Sequence, residues 1–456
     1  MIKIFISAIK FYIILYANNI MKKECSKISR SNNLTWGGVD CRKLAEEFGT
    51  PLYVYDAGII KSRCRELRET FLERWPNTRI RYAGKAFLTR AIAKLIEREG
   101  LGLDVVSMGE LYAALSVNFP VERIEMNGNA KSYEEISYAV SSKVGRIIVD
   151  HPDELKVIEE CAKKFGVVQK IMIRVTPGVD AHTHAYISTG HTDSKFGLPL
   201  DGPMLTDAIN YAMKSEFIDL RGLHFHVGSQ LFDTDDYLKS LAKILELMKK
   251  LKDEMNFTTH ELNIGGGFGA VINPSIPAMR AEFYTDKIMN ALINGCQIYG
   301  LEVPCAIFEP GRWVISEACL TLYRVENIKE LPGITYIAVN GGMADNPRFA
   351  LYNAEYDAVA IANPKGKIYN REGNTKVSVV GKCCESGDIL IDNAKLPLLK
   401  AGDIIGLYNS GAYTFSMSSN YNYLQRPAVV FVENGEAKLV VERQSLEDLI
   451  RGQYDY

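Results

Sequence analysis

The sequence predicts an α/β protein, a (β/α)8 TIM-type barrel followed by a C-terminal β domain of barrel or sandwich type. Three observations predict it. From residue 52 onward, short runs rich in Val, Ile and Leu alternate with helical patterns. Several runs are apolar at successive positions, as strands buried on both faces are. After Arg312 the texture changes to strand upon strand.

The elements follow in order. MIKIFISAIKFYIILYANNI opens the chain, but Lys10 interrupts its apolar run and no small-residue cleavage site follows. It is too short and broken for a membrane span. Residues 1–30 therefore read as an extension outside the fold, with Met21 an alternative start, and 31–52 as a segment packing on the β domain. PLYVYD leads into a barrel assigned to 53–312. Its eight strands are read at Arg79–Ala83, Leu103–Ser107, Arg123–Asn127, Arg146–Asp150, Lys170–Val175, Leu220–Val227, Glu261–Ile264 and Ala306–Glu309.

Helical stretches lie between them. TRAIAKLIEREG stops at Gly100, and Asp153-Glu154 open a helix behind Pro152. In DTDDYLKSLAKILELMKKLKDE, residues Leu238, Leu241, Ile244, Leu245 and Met248 form one core-facing stripe. Eight β/α alternations fit a closed barrel of ~250 residues. A doubly wound open sheet competes, because alternation alone does not prove closure. The β domain, 313–456, holds CLTLYRVENIK, GITYIAVNGG, KVSVVGK, DIIGLYN and PAVVFVENGEAKLVV. Asn434-Gly435 between two apolar runs signals a hairpin.

Composition narrows the function classes. The chain has 456 residues, 47% apolar and 24% charged, with a net charge of -2. Without a basic run or acidic tail, nucleic acid is not the expected partner, nor is a membrane. The 9 cysteines are scattered without a C-x-x-C pair, which suggests reduced thiols in a cytoplasmic protein rather than disulfides or zinc.

Barrel active sites lie at the C-terminal ends of the strands, and the unusual residues gather there. Lys85 follows strand one in RYAGKAFLT, where partial desolvation favours Schiff-base chemistry. Taken alone it reads as readily as an exposed lysine. HFHVGSQ ends strand six with His226 and Ser229. Gly265, Gly266 and Gly267 end strand seven, where backbone N–H groups could close on a phosphate. FEPGRW ends strand eight with Glu309, Gly311 and Arg312. A carboxylate there can keep a pyridine nitrogen protonated, or simply pair with Arg312 or another base. The β domain adds Lys382-Cys383-Cys384-Glu385-Ser386-Gly387-Asp388, Gly411-Ala412-Tyr413, and Asp345-Asn346-Pro347-Arg348 leading to Tyr352. Each of these also reads as a polar loop.

Together these motifs resemble the fold-type III, alanine-racemase-like decarboxylases that use pyridoxal 5'-phosphate (PLP), and most closely the diaminopimelate decarboxylases. The resemblance covers roughly residues 34–430. YAGKA, GLGLDVVSMGEL, HVGSQ, GGGFG, EPGRW, CCESGD and GAYTFSMSSNYN match the family's blocks in order. It implies that Lys85 carries PLP, that His226 stacks on its ring, and that Ser229, Gly265–Gly267 and Gly311 bind its phosphate. Glu309 would face the ring nitrogen. Arg312, Arg348, Tyr352 and Glu385 would bind substrate, Cys384 would reprotonate the carbanion, and Tyr413 would touch both cofactor and substrate. It also implies a homodimer with shared sites, Cys384 and Glu385 arriving from the partner.

Met108 departs from the family, standing where a small residue is expected beside Ser107 and Glu110, and implies only a local packing change. AHTHAYISTGHTDSKFG resembles a mobile loop near the site. Its histidines 182, 184 and 191 lack metal-ligand spacing, and no metal is expected. The implied reaction is decarboxylation of meso-2,6-diaminopimelate to L-lysine and CO2, the last step of lysine biosynthesis. The arginine pair and Glu385 suit a far end that bears both a carboxylate and an ammonium. A decarboxylase of ornithine, lysine, arginine or carboxyspermidine is the alternative within the fold. A non-catalytic, PLP-binding regulatory homologue is the alternative outside enzymes.

Overall fold

The computed structural model describes residues 26–28, 33–179, 194–271, 279–362 and 376–456. The chain divides into two compact units. Arg63–Gly269 with Met279–Trp313 form one. The described parts of Met1–Ser62, Ala270–Ala278 and Val314–Tyr456 form the other. The proposed N-terminal extension up to residue 25 and the loop histidines 182, 184 and 191 lie outside the described residues.

The first unit is the barrel. Its strands are β1 (Thr78–Ala83), β2 (Gly102–Val105), β3 (Ile124–Met126), β4 (Arg146–Val149), β5 (Gln169–Thr176), β6 (Ile218–His224), β7 (Glu261–Asn263) and β8 (Cys305–Phe308). Each pairs in parallel with the next. β8 then pairs with β1, with Phe308 opposite Ile80. This closes the sheet and rules out the open alternative.

A helix follows each of the first seven strands: α1 (Arg90–Arg98), α2 (Met108–Leu115), α3 (Tyr133–Ser141), α4 (Asp153–Phe165), α5 (Pro203–Lys214), α6 (Asp235–Met255) and α7 (Ala281–Tyr299). Local chemistry sets their ends. Thr89, Ser107 and Ser132 cap α1, α2 and α3 by accepting backbone N–H groups. Gly166, Asn256 and Gly300 end α4, α6 and α7 in the left-handed conformation. The stripe of α6 sits slightly differently from the sequence reading. Leu241, Ile244, Leu245 and Met248 are buried as expected, but Tyr237 is buried where Leu238 is only half covered. Tyr237 has a reason to point inward, because its hydroxyl donates to Gly266 O at 2.7 Å.

The deeper barrel interior is not purely apolar. Arg81 Nε meets Glu125 Oε1 at 2.9 Å. Arg146 grips Glu261 with two contacts of 2.6 Å, and Arg79 adds a third at 2.7 Å. Charges taken from water this way must be paired, since removing one partner strands the other.

The second unit is built on a nine-stranded sheet. Its spine is Cys319–Leu331, which pairs with Leu52–Asp56, Ile334–Val339 and Ile404–Tyr408. Leu320 and Leu322 enter one apolar cluster with Trp36, Leu44 and Val430; Tyr323 and Val325 enter another with Ile337, Val379 and Leu396. The spine thus feeds a core on each face. PLYVYD, read as leading into the barrel, is a fully buried strand of this sheet, paired in parallel with Ala428–Glu433. The hairpin between Ala428–Glu433 and Glu436–Val441 forms as expected, with positive φ at both Asn434 and Gly435.

Replacing Glu261 tests the buried charge layer. Burial pushes its carboxyl up, but Arg146 and Arg79 bring it down to about 2. A depressed carboxyl stabilises the fold above its unfolded value, and that stability fades as pH falls toward the folded one. Glu261→Gln is expected to cost about 3 kcal/mol at neutral pH. The gap to the unmodified chain should close as pH drops from about 4 to 2. Urea unfolding midpoints across that range check both statements.

Candidate active site

Each barrel strand delivers one polar residue at or just past its C-terminal end: Lys85, Asp104, Asn127, Asp150, Arg174, His224, Asn263 and Glu309, from β1 to β8 in turn. Glu309 is their hub. Its Oε1 accepts from Asn263 Nδ2 at 2.7 Å and from Asn127 Nδ2 at 3.0 Å. Its Oε2 lies 3.2 Å from His224 Nε2. Burial raises the Glu309 carboxyl, but His224 and the Lys85 charge outweigh it and hold the group well below the usual carboxylate range.

Asp104 is driven the other way. Burial and the Glu309 charge push its carboxyl far up. Its Oδ1 accepts from Asn127 Nδ2 at 2.7 Å, while Oδ2 is buried without a hydrogen-bond partner among the described residues. Two neighbouring carboxyls therefore divide into one anion, Glu309, and one acid, Asp104.

Lys85 is half-buried on the short turn Gly84–Ala86 that ends β1. The Glu110 carboxylate from α2 accepts Val106 N–H at 2.8 Å and lies against Gly84. Met108 is 41% exposed at the start of α2. Its side chain displaces nothing in the core, which agrees with a purely local change.

Beyond β6, His226 accepts the Gly266 N–H on Nδ1 at 3.2 Å. Burial, then the charges of Lys85 and Arg174, push its pKa well below the ordinary histidine value. With Nδ1 an acceptor, the neutral ring carries its proton on Nε2. Ser229 Oγ accepts from Arg312 Nε and Nη2 at 3.3 and 3.1 Å. Its own hydroxyl hydrogen therefore points elsewhere. Arg174 lies over the Phe196 ring at 4.4 Å.

The triglycine is demanded by the close approach of three strands. A Cβ on Gly265 would sit 2.6 Å from His226 Nδ1, one on Gly266 2.2 Å from Glu309 O, and one on Gly267 2.5 Å from Gly228 O. Gly265 and Gly267 also hold positive φ. The N–H of Gly265 donates to Asn263 Oδ1 at 2.9 Å. Two of the three expected anion donors are thus engaged within the protein. A phosphate in this corner would draw on Gly267 and on the Ser229–Arg312 pair. Gly311 closes the corner, since a Cβ there would press on Ala83 at 2.9 Å.

The remaining expected residues belong to the second unit. Arg348 is buried at the start of the short helix Arg348–Tyr352, its Nη1 donating to Tyr356 OH at 3.1 Å. Its Nε is buried without a partner, and it makes no ion pair among the described residues. Tyr352 is half-buried. Cys384 and Glu385 are exposed, and Cys384 is the exposed one among the described thiols, all of them free. Asp388 ties their loop to the Arg348 loop by accepting Cys383 N–H at 2.7 Å and Met343 N–H at 2.6 Å. Tyr413 holds φ 60, a left-handed backbone costly for a bulky residue.

Sequence reasoning missed Asp104, Asn127, Arg174, His224 and Asn263. A signal was present, because each is a polar residue at or near the C-terminal end of its strand.

A closed barrel with a lysine, an ionised carboxylate and a glycine corner at one mouth defines the cofactor domain of a pyridoxal-dependent decarboxylase. Residues 58–316 match the family described as "Pyridoxal-dependent decarboxylase, pyridoxal binding domain". The diaminopimelate decarboxylase of Bacillus subtilis is 44% identical over 93% of this chain and 96% of its own. That of Staphylococcus aureus is 38% identical over 93% and 98%. The crystal structure of the M. jannaschii enzyme in complex with L-lysine superposes with a TM-score of 0.86 at 33% identity, covering 94% of this chain and 98% of that one. The chain belongs to the diaminopimelate decarboxylase family, whose cofactor is PLP.

Asp345 precedes Arg348 and supplies a pH test of the loop. Burial lifts its carboxyl to about 7, against bonds from Tyr323 OH and Gly342 N–H that lower it. A raised carboxyl stabilises the fold fully below its unfolded value, near 4, and that contribution is lost as pH rises through the folded value. Asp345→Asn can keep both bonds, by offering its oxygen to Gly342 and its amide to the Tyr323 hydroxyl oxygen. Its melting temperature should therefore fall less than that of the unmodified chain between about pH 5 and 8. Parallel melting curves would contradict this.

Proposed function

We propose that this chain decarboxylates meso-2,6-diaminopimelate to L-lysine and CO2. Family membership and the ionised Glu309 in the barrel mouth support the reaction type. Bound PLP supplies an electron sink for the bond broken at the α carbon. The residues present fit that group. Lys85 would hold it covalently, Glu309 would keep a negative charge facing its ring nitrogen, and neutral His226 would offer a flat face to its ring. Gly267, Ser229 and Arg312 would seat its phosphate, with Gly265, Gly266 and Gly311 giving the backbone room to close. Cys384 would donate the proton from Sγ to the α carbon once CO2 has left. Its exposure suits a group that arrives from the β unit of a second copy, so the working form is a homodimer. Tyr413 and Tyr352 would border the substrate.

The observation that carries the choice of substrate is Arg348, a buried guanidinium facing a neutral tyrosine and lacking a counter-charge among the described residues. A carboxylate at the far end of diaminopimelate would supply it, and Glu385 would take the ammonium beside it. Ornithine or lysine brings no second carboxylate and leaves the arginine uncompensated. The relatives solved with L-lysine bound suit the same end product. No described helix is long and apolar enough to cross a membrane. The described thiols, all of them free, suit a cytoplasmic setting.

Two measurements test the reading. Purified Lys85→Ala should lose the absorbance of covalently held cofactor and all measurable CO2 release; normal turnover by this variant refutes the assignment. The unmodified enzyme should favour diaminopimelate over ornithine by about 100-fold or more in kcat/KM, with Arg348→Met removing most of that preference. Equal turnover of both substrates overturns the choice.

A further inference from the structure

Among the residues of the Glu309 network that have no part in the roles above, Asn263 stands out. Asn263 closes β7 and is fully buried. Its Oδ1 accepts the Gly265 N–H at 2.9 Å, which fixes the orientation of the amide. Nδ2 then faces two carboxylates at once, Glu309 Oε1 at 2.7 Å and Glu125 Oε2 at 2.9 Å. Both amide hydrogens are committed, one to each. Glu125 is itself held by Arg81 at 2.9 Å, and that pair is buried. A single amide therefore joins the first glycine of the corner, the carboxylate in the barrel mouth and the ion pair deeper in the core.

Asn127 is not equivalent. Its Nδ2 is shared between Glu309 at 3.0 Å and Asp104 at 2.7 Å, and its Oδ1 is buried without a partner. It donates to Glu309 but is not anchored on its acceptor side. Asn263 is anchored on both sides, and its amide supplies at once the acceptor for Gly265 and a donor for each carboxylate. A carboxylate in its place would add a third negative group within hydrogen-bond distance of two others. An apolar side chain would leave the Gly265 N–H and both carboxylates short of a partner.

We propose that Asn263 is a positioning residue that ties the Glu309 carboxylate to the glycine corner, so that one amide sets both the charge facing the cofactor's ring nitrogen and the seat of its phosphate. This rests on reading Glu309 as the partner of that nitrogen.

The test uses Asn263→Asp, which keeps the shape and an oxygen for Gly265 but loses donors: ionised it faces both carboxylates with an acceptor, and protonated it can donate to only one of them. Glu309→Gln is the benchmark. Three quantities are read for each variant: the PLP dissociation constant of the cofactor-stripped protein, the pH titration of the bound cofactor's absorbance, and kcat and KM separately. N263D should weaken PLP binding about tenfold or more and move the absorbance titration in the same direction as E309Q. It should lower kcat about tenfold or more while changing KM little. If E309Q shifts the titration and N263D matches the unmodified protein, the inference falls. If E309Q itself leaves titration and kcat unchanged, the reading of Glu309 falls instead. Should N263D not fold, Asn263→Ser decides, because its hydroxyl can accept from Gly265 and donate to one carboxylate. A titration partway toward E309Q supports the proposal, and one identical to the unmodified protein overturns it.

Discussion

A carboxylate kept ionised inside a closed barrel is the constraint that organises this site. Moving such a charge out of water costs several kcal/mol unless donors replace the water. Glu309 receives them from three strands, through Asn127, Asn263 and His224. Those donors must in turn be fixed, and each is buried at the end of a strand whose register is set by its neighbours. The polar ring at the mouth and the apolar strands beneath it are therefore parts of one solution. The strands hold the donors, and the donors make the charge tolerable.

The same charge accounts for the opposite state of Asp104. Two carboxyls sharing Asn127 cannot both ionise cheaply in a buried mouth. Glu309 wins the charge because it has more donors, His224 above all, whereas the Lys85 charge favours both anions; Asp104, with one donor and an Oδ2 that has no partner among the described residues, is driven toward its acid form. The mouth thus holds an anion and an acid side by side, with a lysine whose field stabilises the anion.

Much of the barrel was legible because several strands buried on both faces read as nearly continuous apolar runs alternating with helical patterns, and all eight lie where strands were read. Closure was not legible, because it depends on Phe308 meeting Ile80 across the chain's whole barrel segment. The place of Leu52–Asp56 was hidden for the same reason, since its partners at 319–322 and 428–432 are remote in sequence. The site was half legible. Lys85, His226, Glu309 and the glycines announce themselves by residue type. Asp104, Asn127 and Asn263 sit inside strand-like words such as GLDV and ELN, where a polar letter reads as an interruption. Their role appears only when the strands curl so that these letters face one another. The triglycine carries a second reason that the sequence did not show, for each glycine is also required by the close approach of neighbouring groups.

The β unit solves a different electrostatic problem. In the barrel mouth the buried charge is satisfied from within, by amides and an imidazole. Arg348 is not: its guanidinium meets the Tyr356 hydroxyl, and its Nε has no partner among the described residues. A buried cation left in that state is costly, and a protein that retains it does so where a ligand supplies the missing charge. Glu309 is thus fully answered by its neighbours, whereas Arg348 has no counter-charge among the described residues, and on that contrast the proposed choice of substrate rests.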